Sequence, residues 1–294
     1  MDYMPGNSQW RSGWMSMLYW ATGLIPWKDS FWTSSAPLFN CVYTPHCREP
    51  NSLLQALVAV LMGGPITIGD AIFSSNYTLL SALFNEADQT VLKPTVPAVY
   101  LPATFVTDFD LPLSTQGLVQ SGTQAFVTHS QNGLVHYVLA ANLTSALSVY
   151  PRDLRRGGSG KRERLWAYDW LNKTVVLAEP LVLPRNRIPP YVPNNTDCND
   201  PPCDEAIEMS YFVVSPEVAG QFVLFGDVSK VVSLADALFG NWQTQEDSFS
   251  VDVAGSARGI VVSVYNTAQQ QMLTVTCHNQ STLTCAADCS CLQR

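Results

Sequence analysis

The chain has 294 residues, 47% of them hydrophobic and only 14% charged, which supplies apolar material for one large domain or two ordinary ones and excludes global disorder. Its formal net charge of −8 and pI of about 4.9 make it a poor partner for a polyanion, so nucleic acid is excluded as a ligand class. No uncharged apolar run reaches the length of a membrane-spanning helix, so no membrane partner is expected.

The first hundred residues read as alternating helix and strand. Trp10 to Leu24 is apolar and aromatic, with Trp14, Met17 and Leu18 at helical spacing, and Pro26 ends it. Phe31-Trp32-Thr33 suits a short strand. Pro50-Asn51 then opens a buried helix over Ser52 to Met62, which Gly63-Gly64-Pro65 breaks. Ile66-Thr67-Ile68 has the β-branched character of a barrel strand. Ser75 can cap a further helix from Asn76 to about Asn85. This alternation predicts βα units on a parallel sheet. Two strands cannot bury such a sheet, so further βα units are expected to complete it.

From about residue 120 the texture changes to short β-rich runs between turn signals: 125–129, 135–140, 174–183, 211–214, 221–225, 248–253, 259–264 and 272–276. That pattern predicts an antiparallel β-sandwich. Two insertions interrupt it. One is the basic, glycine-interrupted run Arg152 to Arg164, read as a surface loop. The other, Pro184 to Pro202, is rich in Pro and Asn. The expected fold is therefore α/β plus all-β: a partial (β/α)8 barrel, its last βα units, over residues 1–112, followed by a β-sandwich over 113–294.

The eight cysteines are Cys41, Cys47, Cys198, Cys203, Cys277, Cys285, Cys289 and Cys291. Their even number and local clustering predict disulfides, the last four stapling the C-terminal tail. A zinc site from His278, Cys285, Cys289 and Cys291 is the alternative, but no C-x-x-C pair supports it. Asn76, Asn142, Asn172, Asn194 and Asn279 each begin an N-x-S/T sequon. Cysteines and sequons together point to the secretory route. Asp2-Tyr3-Met4-Pro5 has neither the basic start nor the apolar core of a signal peptide, which leads us to expect a fragment of a longer protein.

A barrel's active site lies at the carboxyl ends of its strands. Lys28-Asp29 and Gly69-Asp70 occupy such positions, and Asp2 precedes the first helix as a βα-loop residue would. Trp10, Trp27 and Trp32 crowd the same region, and aromatic faces beside acidic side chains suit a sugar. Trp14 and Trp20 read instead as core. The ordered series Asp2-Tyr3, Asn7, Gln9-Trp10, Trp27-Lys28-Asp29-Ser30-Phe31-Trp32, Leu54-Gln55-Ala56-Leu57 and Gly63-Gly64-Pro65-Ile66-Thr67-Ile68-Gly69-Asp70 resembles the last barrel strands of the α-galactosidase and raffinose-synthase clan of glycoside hydrolases, nearest the family 36 type.

The resemblance implies a secreted glycosidase or transglycosidase acting on α-linked sugars, with a carbohydrate as substrate and no cofactor or metal. Asp2 matches the place of the catalytic acid/base. Asp29 matches the second aspartate of an Asp-x-Asp-Met-Phe strand, and Asp70 ends the final strand. Lys28 departs from the acidic strand motif. A retaining glycosidase needs a nucleophile and an acid/base roughly 5 Å apart. The family's nucleophile lies on an earlier strand, so this chain is expected to be inactive without the N-terminal portion of the barrel. The plainer readings are a terminal Asp2 without a role, a capping Asp70 and a structural Asp29. Trp166-Ala167-Tyr168-Asp169-Trp170 is either a sugar-stacking strip or a strand with one buried face, and the four histidines read as ordinary surface or strand residues. The rival function is a non-catalytic carbohydrate-binding or structural module built on the sandwich.

Overall fold

The computed structural model describes residues 18–34, 49, 51–101, 124–143, 146–154, 164–187, 207–254, 258–278 and 280–293. The expected helix from Trp10 enters this set only as a turn at residues 18–21, closed by Gly23 at φ +79°. Helix α1, Ser52–Leu61, is buried at nine of its ten positions. A run of Leu, Ala and Val interrupted only by Gln55 after Ser52 explains both its formation and its burial. It starts where Pro50-Asn51 placed it, but the Asn51 side chain does not cap it. That carboxamide oxygen instead accepts a hydrogen bond from the Ile207 backbone N–H at 2.8 Å. Gly63, at φ +76°, follows the last turn, the left-handed conformation in which glycine escapes a steric cost.

Helix α2 spans only Tyr77–Ser81, and its N-cap is Asn76, not Ser75. The Asn76 side chain accepts from the Leu79 N–H at 3.1 Å. The expected continuation to Asn85 is replaced by a turn closed by a bridge between Phe84 and Val91, because Asn85 and Asp88 bind local backbone N–H groups and so compete with the helix.

Between the 31–33 and 66–68 segments there is a single parallel bridge, Phe31 to Ile68, with Phe31 N–H donating to Thr67 O at 3.2 Å and Gly69 N–H donating to Phe31 O at 2.9 Å. With α1 between them, these segments form a parallel crossover. Among the described residues no further strand pairs in parallel, so a partial barrel is not shown.

The remainder is mostly antiparallel β-structure. The strands are β1 (Val99–Tyr100), β2 (Gln124–Ser130), β3 (Val135–Ala141), β4 (Leu147–Val149), β5 (Leu165–Asp169), β6 (Thr174–Leu177), β7 (Leu181–Leu183), β8 (Asn186–Arg187), β9 (Glu208–Val218), β10 (Phe222–Gly226), β11 (Phe239–Thr244), β12 (Phe249–Ala254), β13 (Ile260–Asn266), β14 (Gln271–Cys277), β15 (Gln280–Cys285) and β16 (Cys289–Gln293). One four-residue helix, α3, covers Pro151–Leu154. The larger sheet runs β1-β2-β3-β9-β10-β13-β14, with β5 and β8 also paired to the long β9. A smaller sheet runs β11-β12-β15-β16, and β4 pairs with β7. Turn chemistry sets the hairpins. The four-residue loop 131–134, with Asn132-Gly133 at its centre, joins β2 to β3, and the three-residue loop 219–221, with Ala219 and Gly220 at positive φ, joins β9 to β10.

Strand alternation divides the core in two. Tyr137, Leu139, Tyr211 and Val213 face one cluster, while Val138, Ala140, Phe212 and Val214 face the other. Helix α1 packs on the first face, where Val58 and Leu61 meet Phe126 and Leu139. The β4–β7 pair and α3 cover the second through Val149, Leu181 and Leu154. At the C-terminal end the two sheets form a sandwich, with Phe222 of β10 and Phe249 of β12 edge-on at 6.0 Å. The cluster that holds Leu54 also holds Tyr137 and Phe249. Apolar packing therefore runs unbroken across residue 112, and β1, from before that point, joins the sheet.

Candidate functional site

The parallel crossover carries Trp27, Lys28, Asp29 and Trp32 on or just before its first segment and Asp70 just after its second. Gly64 allows the approach of its two segments: a Cβ there would stand 2.3 Å from Pro26 O. Only backbone without a side chain fits that gap. Gly69 lies beside Trp32, where an added Cβ would sit 3.3 Å from the indole Cδ1.

The five side chains are placed differently. Trp27 is 55% exposed, whereas Trp32 is buried, so Trp27 alone of the two presents a face to solvent. Lys28 is buried as well. Its ammonium lies 5.5 Å from the Phe31 ring centroid and donates to Asp29 O at 3.3 Å. Burial lowers its pKa to about 8, against the opposing pull of the Glu49 and Asp29 carboxylates. Asp29 Oδ1 accepts from the Ser30 N–H at 2.7 Å.

Asp70 spans the crossover. Its two oxygens accept from the Thr33 N–H at 2.7 Å and the Thr33 hydroxyl at 2.5 Å. Thr33 Oγ1 in turn accepts from the Asn76 N–H at 2.7 Å. This chain ties the end of the second segment to the first and to the start of α2. Asp70 is thus a tie between the two segments and not the cap weighed for it, since Asn76 caps α2, and the carboxylate retains lone pairs for a hydroxyl donor. Glu49 was missed from sequence. It is fully buried, accepts from Asn51 N–H at 2.9 Å and Gln55 Nε2 at 3.3 Å, and so ties the start of α1 to the charge of Lys28. No sequence motif announces it. Asp2, Trp10 and Trp14 lie outside the described residues, and Trp20, read as core, is 38% exposed.

The aromatic strip on β5 faces inward. The Trp166 indole stacks on Tyr265 at 5.3 Å and donates to Glu217 Oε2 at 2.9 Å. Tyr168 packs on Phe225. The Trp170 N–H donates to Lys230 O at 3.1 Å. Its polar handles are used inside the fold, and β5 is covered on both faces, with Leu165 and Ala167 in one core cluster and Tyr168 in the other.

The tail cysteines are disulfide-bonded, Cys277 to Cys291 and Cys285 to Cys289. That overturns the zinc alternative, because thiolate ligands are consumed; among the described residues no group of three His, Cys, Asp or Glu side chains is arranged to hold a metal. Disulfides fit an extracellular protein, and no helix among the described residues is long and apolar enough to cross a membrane. Cys41, Cys47, Cys198 and Cys203 lie outside the described residues. Of the sequon asparagines, Asn76 caps α2, and the exposed Asn172 sits on the β5–β6 turn.

Two of the four histidines read as ordinary surface or strand residues are neighbours on adjacent strands. His129 of β2 and His136 of β3 are directly opposed in the ladder, with ring centroids 6.3 Å apart. Asn132-Gly133 between them was the available signal, because a hairpin centred there pairs residues at equal distance from the turn. Burial, helped by the neighbouring His129, pushes the His136 pKa down to about 4. The pair lines a cleft of about 270 Å³ with Arg152 and Asp153 on its rim.

No protein-family model matches this chain, and no curated protein sequence matches it.

Proposed function

We propose that the chain is the C-terminal part of a secreted glycoside hydrolase or transglycosidase acting on α-linked sugars, inactive until the N-terminal portion of a (β/α)8 barrel joins it. One observation carries this reading: the parallel crossover carries Lys28-Asp29 on its first segment and Asp70 at the end of its second, beside an uncovered apolar surface. Parallel β-structure is covered on both faces in stable proteins. Here Leu24, Ile25, Trp27, Ile68, Ile72 and Phe73 are all exposed, which is what the interface to further βα units requires. In this reading Asp2 is the acid/base, and Trp27 with Asp29 and Asp70 faces the substrate, while Trp10 adds a stacking face. Buried Lys28 and Trp32 shape the pocket from behind.

The test is hydrolysis of aryl α-galactosides by the chain alone and by a polypeptide extended on its N-terminal side through the remaining barrel strands. The chain alone should show no turnover. The extended form should be active and lose at least about a hundredfold in kcat with Asp2→Asn, the usual scale of a general acid's contribution. Full activity of the Asp2→Asn form removes Asp2 from the mechanism, and an inactive extended chain removes the glycosidase reading.

A further inference from the structure

The cleft at the β2–β3 hairpin has a composition of its own, independent of the parallel crossover. Its inner wall is apolar, from Val99 of β1 and Val127 of β2. Its polar groups converge from three elements: His129 from β2, His136 from β3, and Arg152 with Asp153 from α3. Their charges nearly cancel. Arg152 Nε lies 3.8 Å from Asp153 Oδ1, so the guanidinium is already matched by a carboxylate. What remains is a mixed set: imidazoles that each donate and accept, a guanidinium that only donates, and a carboxylate that only accepts.

A bare anion would meet Asp153, and a bare cation would meet Arg152. A hydroxyl, which donates and accepts at once, suits every member of the set. The apolar wall suits a C–H face. The volume of about 270 Å³ falls just below the roughly 300–1,000 Å³ of sites for drug-sized ligands, which fits one ring and not an extended chain. We infer that this cleft binds a single neutral polyhydroxylated ring, such as a monosaccharide or cyclitol, held by His129, His136, Arg152 and Asp153 against the β1–β2 wall.

Saturation-transfer NMR on the full chain tests this, with D-galactose, D-glucose and myo-inositol as neutral probes and glucuronate and inorganic phosphate as anionic ones. Transfer to at least one neutral probe is expected. His129→Ala and Arg152→Ala should each weaken it by about tenfold or more, and Leu292→Ala, at an exposed position of β16 in the smaller sheet, should leave it unchanged. Arg152 is the safeguard variant: its side chain is 81% exposed, so its removal does not disturb the core. Three results would overturn the inference: no transfer to any neutral probe, transfer undiminished in both cleft variants, or transfer to the anions alone. Loss on Leu292→Ala equal to that of the cleft variants would place the sugar elsewhere and also overturn it.

Discussion

At the scale of single residues, two positions show how little room the fold leaves. Gly226 ends β10 at φ +73°, and a Cβ there would lie 2.2 Å from Ser233 O and 2.7 Å from Leu234 Cγ. Neither backbone strain nor the clash can relax without moving the 233–234 segment, which Tyr137 and Ser130 hold by hydrogen bonds to Leu234. Gly226→Ala should cost at least about 2 kcal/mol, read as a lower urea midpoint at unchanged slope. His136 makes a pH prediction. Its folded pKa of about 4 lies below the ordinary histidine value of 6.5. The unfolded chain therefore takes up a proton that the folded chain refuses. Stability from this group is complete above about pH 6.5 and drains away as pH falls toward 4, by about 3 kcal/mol in all. Urea unfolding at intervals from pH 7.5 to 4 should show that decline, and His136→Gln should flatten it. A decline of equal size in the variant would assign the loss to other groups.

At the scale of elements, the C-terminal hairpin depends on its cross-links. Cys277 is on β14, at the edge of the larger sheet, and Cys291 is on β16, at the edge of the smaller one. That disulfide ties the two sheets together, whereas Cys285–Cys289 closes the β15–β16 hairpin, four residues apart in sequence. The loop closed by Cys277–Cys291 spans 14 residues of separation. Replacing both cysteines by Ser should cost about 3 kcal/mol. Replacing the Cys285–Cys289 pair should cost less, since a shorter loop gives up less entropy in the unfolded chain. Thermal unfolding of the two double variants compares them directly, and a larger loss for the short loop would contradict this ordering. The sequence reading found most strands that alternate or run apolar, such as 125–129, 135–140 and 259–264. It missed β11 and β15, where Asn, Gln, Ser and Thr occupy much of the strand, because polar strands at the sandwich surface carry little periodicity. It cut β9 short at both ends. Both faces of that strand are buried, and a strand covered on both sides has no alternation to mark its ends.

At the scale of the whole molecule, the dominant feature is asymmetry. The strands from β1 onward enclose two cores, while residues 18–77 leave large apolar side chains in solvent. Ile72 is 84% exposed and Phe73 fully so. Water penalises that surface in proportion to its area. The isolated chain should associate as its concentration rises, seen as growing mass by light scattering. Ile72→Ser with Phe73→Ser should reduce the association with little change in unfolding free energy, since neither residue packs in the core. A monodisperse parent at high concentration would mean that this surface needs no cover.

Composition and local pattern alone determined the β-rich character beyond residue 120, the place of α1 and the stapling of the tail by disulfides. Each follows from the identity of nearby residues: a helix from apolar spacing, strands from short β-rich runs between turn signals, a disulfide from neighbouring cysteines. Tertiary structure decided the rest. It set His129 against His136, turned Trp166 and Trp170 inward, buried Glu49 near Lys28, and joined α1 to the sandwich in a single core. Those outcomes depend on which distant surfaces meet, and long-range burial leaves no local signature in the chain.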